Sequence, residues 1–201
     1  LGAAIGFLEA ARAARFRDEP SGLAARCAAN LASALWLSRG SGARDGAREQ
    51  ALALANEIAK ARSGADRQAQ AIAEAMIACS WLETPGASAE QIRFSASRAA
   101  ILLDRCAEHW TRSDWPFAWA WTRLKRAEAS RLAALDLERG IRDAEEALEA
   151  FRREAFPGEW AQAQSALGAL YERRAAAAGQ AADWNEAIER YSLAIAVWDA
   201  G

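Results

Sequence analysis

The stretch from Phe151 to Tyr171, FRREAFPGEWAQAQSALGALY, constrains the chain more than any other, because its parts recur elsewhere at fixed distances. Pro157 suits a first helical turn, where a missing N–H costs nothing, and Trp160, Leu167, Leu170 and Tyr171 follow at helical spacing. The same opening stands upstream: Pro116-x-x-Trp119-Ala120 and Pro157-x-x-Trp160-Ala161 are 41 residues apart. A second pattern, Gly140-Ile141-x-x-Ala144-x-x-Ala147-Leu148, returns as Ala187-Ile188-x-x-Tyr191-x-x-Ala194-Ile195 at an offset of 47. A fainter echo, Asn30-Leu31-Ala32-x-x-Leu35, matches Ala166-Leu167-Gly168-x-x-Tyr171. Periods of roughly 20 to 50 residues are the mark of chains that stack like units.

Between the repeats the chain punctuates as helices. Apolar spacing and breakers predict helices over about Gly2–Arg17, Ser21–Ser38 and Asp45–Arg62, and one from Asp66 through Trp81. A fifth runs from Ser88, boxed with Gln91, toward Trp110, and a sixth, capped by Asp114 or Ser113, carries Phe117 to Leu124. Three more cover Asp136–Ala155, Gly158–Ala178 and the segment from Asp183, where Glu186 completes a second capping box. No segment sustains the two-residue alternation of a strand. The expected fold is all-α, about nine helices joined by short turns into antiparallel hairpins, in one domain over 1–201.

Composition narrows the function classes. Alanine dominates the 52 % apolar fraction and only four prolines interrupt it. A formal net charge of −2 argues against a general nucleic-acid or membrane-surface role. Three widely spaced cysteines, Cys27, Cys79 and Cys106, suit reduced thiols of a cytoplasmic protein. The longest uncharged runs are about twelve residues, short of a membrane span. The opening LGAAIGFLEA lacks both an initiator Met and a basic segment, so the expectation is a fragment of a longer chain with no signal peptide.

Catalytic signatures are missing from the sequence. Cys106-x-x-His109 is expected to put a thiol and the only imidazole on one helix face, but a metal would need further ligands from Cys27, Cys79 or carboxylates. Neighbouring carboxylates such as Glu145-Glu146 and Asp18-Glu19 point in different directions on a helix, as solvated faces do. Neither a glycine-rich nucleophile turn nor a phosphate loop is present. The reading is therefore not an enzyme, with no cofactor and no metal.

Leu167-Gly168-x-x-Tyr171, followed by Ala187, Tyr191 and Ala194, resembles the tetratricopeptide repeat, with its L-G-x-x-Y first helix and A-x-x-x-F/Y-x-x-A second helix. Phe156-Pro157-x-x-Trp160-Ala161-x-x-Gln164 is similar to the longer bacterial variant of that repeat. Clear copies cover 115–201, while 1–114 keeps the helical rhythm as degenerate repeats; Gly140 stands where the family has alanine. The resemblance implies a right-handed α-solenoid that binds a protein or peptide, as the sensor or docking arm of a bacterial signalling or protease-effector protein. Gly168 and Ala187 are expected to let paired helices approach closely, with Leu167, Tyr171 and Tyr191 filling the space between.

The same register implies the concave groove. It would be lined by Gln162, Ser165, Ala169, Glu172 and Arg173 on one first helix, and by Trp121, Leu124, Glu128, Arg131 and Leu132 at the aligned positions. An aromatic ring beside arginines is a plausible anchor for a partner. Trp119, matching Trp160, is expected in the core, and Trp121 either touches a partner or is buried against a neighbouring helix. Two rival readings are a receptor for a peptide signal and an arginine-bearing RNA-binding repeat. Self-association is a further expectation, because Val197-Trp198 leaves apolar surface that a further helix or a second copy would cover.

Overall fold

The computed structural model describes residues 30, 44–60, 67–83 and 86–199, in two compact units divided after Ser80. The described residues are helical with no strand: α1 Arg44–Lys60, α2 Arg67–Leu82, α3 Ala89–Ala107, α4 Pro116–Ala133, α5 Leu137–Ala150, α6 Pro157–Ala178 and α7 Ala181–Trp198. The expected helices at Gly2–Arg17 and Ser21–Ser38, the echo at Leu31 and the cap at Asp66 lie outside the described residues, Asn30 excepted. In the first unit α1 buries Ala51, Leu54, Ala55 and Ile58, one stripe at helical spacing. In α2, residues Ala75, Met76, Ile77, Ala78 and Cys79 are buried in succession.

The second unit is built from hairpins. Arg123 of α4 reaches Asp143 and Glu146 of α5, while Ser130 lies beside Gly140, so α4 and α5 run antiparallel. Tyr191 of α7 reaches Glu172 of α6 and Asp183 reaches Arg174, so these two are antiparallel as well. α6 packs on both helices of the preceding pair. Ala120 and Leu124 of α4 share a core with Ala163 of α6, and Ala127 shares one with Leu167 and Leu170, so the two first helices lie parallel. α3 packs against α4, where Asp104 meets Arg126 at 3.3 Å.

The sequence repeat is also a repeat of backbone geometry. Trp115 and Phe156, each ahead of its proline, have φ/ψ of −138/59 and −137/63. Each closes a turn through its N–H, to the carbonyls of Thr111 and Arg152, and each accepts the N–H of the tryptophan four residues on at 2.8 Å. Beside this joint, Phe117, Phe151 and Phe156 meet edge to face at 5.3 to 6.0 Å.

Several helix ends differ from expectation. The Ser88–Gln91 box forms, but α3 stops at Ala107, placing His109 in the following turn and not on a helix face with Cys106. α4 has no side-chain cap: Asp114 bonds Thr111 instead, and the proline supplies the stop that a cap would give. α5 is capped by Asp136 yet ends at Ala150 rather than Ala155, because Phe151 leaves helical geometry to bury its ring completely. Asp45, the expected cap of α1, lies inside the helix. Asp183 is inside α7, not at its cap; both its oxygens accept a fork from Arg174, at 2.8 and 2.7 Å. Arg174 also donates to Glu138, tying three helices at one point.

Glycines mark the closest approaches. A Cβ on Gly168 would lie 3.1 Å from the Tyr191 ring and 3.2 Å from the Ala187 carbonyl, as the small-residue reading of this pair requires. Gly140, the departure from alanine, has a reason too: its Cβ would sit 2.9 Å from both Leu170 Cδ2 and Ser130 Cβ. Gly140→Ala is therefore expected to destabilise by about 1–3 kcal/mol in urea unfolding. Gly158→Ala, with nothing within 4 Å of its Cβ, should be neutral or stabilising by up to about 1 kcal/mol.

The Arg174 hydrogen bonds hold the Asp183 carboxyl below its usual range, against the effect of burial. A depressed carboxylate pKa contributes stability above its unfolded value of about 3.9 and loses it as pH falls through the folded value. Asp183→Asn should accordingly be less stable than the parent near neutrality. The gap should close in acid unfolding curves below about pH 4.

Candidate functional site

A cavity of about 320 Å³ opens between the parallel helices α4 and α6. Leu124, Lys125, Glu128 and Arg131 line it from α4, Gln162, Ser165, Ala166 and Ala169 from α6, and Trp198 from the end of α7. Its placement follows from the repeat: first helices related by 41 residues lie side by side, so the same faces of both turn to one groove. The walls are mixed. Leu124 is buried and Ala166 packs on the core beneath, whereas Gln162 is exposed and Arg131 half-buried.

Charge is unevenly spent there. Lys125 donates to Glu128 at 3.0 Å along one turn of α4 and stands 6.0 Å from the centre of the Trp121 ring. Arg131 has no carboxylate partner among the described residues. The groove therefore holds two cations to one carboxylate, and its free guanidinium is a forked donor. Below it lies a denser network, where Asp143 is approached by Arg123 at 2.8 Å and Arg126 at 3.1 Å. The Arg126 and Glu146 contacts are at ion-pair distance without hydrogen-bond alignment, and burial pulls the Arg126 pKa below the ordinary arginine value despite Asp143.

Of the residues that the repeat register assigned to a groove, Leu124, Glu128, Arg131, Gln162, Ser165 and Ala169 come together around this cavity. Trp121 does not: it is half-buried against the core of Ala120, Leu124, Ala147, Phe151 and Ala163, as Trp119 and Trp160 are. Glu172 and Arg173 are exposed beyond the cavity, and Glu172 accepts the Tyr191 hydroxyl at 2.8 Å. Burial first, and then that carboxylate, push the Tyr191 pKa up to about 12. Leu132 is half-buried and is not one of the lining residues. Lys125 and Trp198 line the cavity without having been assigned to a groove from the sequence. Lys125 is one turn beyond Trp121 on the face already singled out, so the signal was there; Trp198 comes from a second helix, and no spacing within α4 or α6 points to it.

The described residues contain no group of three or more His, Cys, Asp or Glu able to hold a metal, and no helix long and apolar enough to cross a membrane. Cys79 and Cys106 are buried. Comparison with family models, curated proteins and solved structures finds no match for the chain.

The placement of Trp121 separates stability from recognition. Trp121→Ala should cost about 2 kcal/mol or more in urea unfolding, through lost packing. Arg131→Ala, which removes no ion pair among the described residues, should stay within about 0.5 kcal/mol.

Proposed function

We propose that the chain is a protein- or peptide-binding helical repeat of tetratricopeptide type, its hairpins winding as a right-handed solenoid. The observation that carries the reading is the pair of parallel first helices, α4 and α6, whose equivalent faces meet across a cavity with an unpaired arginine. In this reading the groove takes an extended segment bearing a carboxylate for Arg131 and an apolar side chain for the Leu124 and Trp198 wall. Nothing in the groove is arranged to carry a reaction, and the arm serves a larger cytoplasmic signalling or effector polypeptide of bacterial kind.

A specific feature favours peptide over RNA. A single unpaired guanidinium between a neutral α6 wall and a Lys–Glu pair is too little positive charge to hold a phosphate backbone. A thermal-shift screen with acidic peptides should return ligands that stabilise the fold. For these, Arg131→Ala should weaken binding about tenfold or more at unchanged stability. Peptides that bind this variant as tightly as the parent would place the recognition surface elsewhere.

A further inference from the structure

One stripe of α7 carries five large side chains, Trp184, Ile188, Tyr191, Ile195 and Trp198, spaced by four, three, four and three residues. Tyr191 is half-buried, but Ile188 is 63 % exposed, Ile195 50 %, Trp184 44 % and Trp198 52 %. At ~1.5 Å per residue the stripe runs for about 21 Å.

The internal repeat shows what this architecture does with such a stripe. The residues 47 positions earlier are Leu137, Ile141, Ala144, Leu148 and Phe151, on α5 and at its end, and α6 covers them with Ala163, Leu167 and Leu170. That cover is also anchored by charge, since Glu138 accepts Arg174 at 2.8 Å and Glu145 meets the Tyr171 hydroxyl at 3.5 Å. On α7 the same two places hold Asn185 and Ser192, both exposed. The apolar stripe has grown, and the carboxylates that fix a helix of the α6 kind are gone.

What stands in their place is symmetric. Read in either direction the stripe is Trp, Ile, Tyr, Ile, Trp, with the tryptophans seven residues either side of Tyr191 and the isoleucines three and four away, so turning it end over end returns the same kinds of side chain in the same order to within one residue. A twofold interface demands that self-complementarity. The rim permits it as well: Asn185 and Ser192 are neutral, Glu189 falls on the far side of the helix by its spacing, and antiparallel copies would hold their Asp199 residues at opposite ends.

We propose that this face joins two copies of the chain through antiparallel α7 helices, about a twofold axis close to Tyr191 and Ser192. Trp198 then packs by the partner's Trp184, so the wall of the α4–α6 cavity is completed across the interface. A stripe of this length buries less than the ~1,600 Å² of a standard interface, so the dimer is expected in the micromolar range.

Sedimentation velocity of the 201-residue chain over a wide concentration range tests it, and a monomer–dimer equilibrium is expected. Ile188→Glu should raise the dimer dissociation constant about tenfold or more, with the helical circular dichroism unchanged because the side chain is exposed. Ser192→Cys should give a disulfide-linked dimer on mild oxidation, and Glu189→Cys should give none. A chain that stays monomeric throughout, a dimer indifferent to Ile188→Glu, equal crosslinking at both cysteines, or a foreign helix that fills the face while the chain remains monomeric would each overturn the proposal.

Discussion

The second unit depends on how closely paired helices can approach. In the α6–α7 hairpin the closest point is Gly168 against Ala187; 41 and 47 residues earlier the same two places are Ala127 and Gly140. The glycine thus changes helix between the hairpins, and Gly140 meets Ser130 of α4 and Leu170 of α6. A Cβ at Gly140 would force Leu170 or Ser130 to shift, and one at Gly168 would press tightly on the Tyr191 ring and the Ala187 carbonyl. Close packing at these points brings the flanking leucines into one core, and the turns and groove inherit their geometry from it.

Polar contacts obey the same register. Arg123 and Asp143 bridge the first hairpin at 2.8 Å; the equivalent positions in the next hold Gln164 and Arg190, 3.5 Å apart, with the cation moved to the other helix. A buried ion pair adds little net stability, because desolvation offsets most of its attraction. Losing one partner is a different matter, since it strands a charge. In the second hairpin the Gln164 amide oxygen takes the carboxylate's part for Arg190, and Arg174 ties three helices through Asp183 and Glu138.

How much of this could be read beforehand divides along physical lines. Among the described residues helix existence and the close Gly168–Ala187 approach were legible, because apolar spacing and glycine placement are local consequences of packing. The Pro-x-x-Trp joint was legible as a repeat, and its backbone proves the same in both copies. Helix ends were less so. A carboxylate near a predicted start reads as a cap, yet Asp183 is captured by Arg174 and Asp114 by Thr111, and only tertiary neighbours decide between those uses. Most of the cavity lining followed from aligning two first helices. Trp121 did not, because its register position faces the groove side while its ring, half-buried, settles onto the core.

Trp198 connects the two surfaces that the repeats leave unspent. It closes one end of the cavity and terminates the apolar stripe of α7, although it is still half exposed. A ring in that position can be buried from either side. Each burial reduces the apolar surface left for water and narrows the rotamers open to the indole. A ligand in the groove and a second copy on α7 would therefore meet at one side chain, each ordering it for the other, which makes their affinities reciprocally linked. The sign of the link depends on whether both events want the same rotamer. Within the stripe Tyr191 packs on Gly168 and donates to Glu172 of α6, whereas Trp198 lies on the boundary between the cavity and the exposed face.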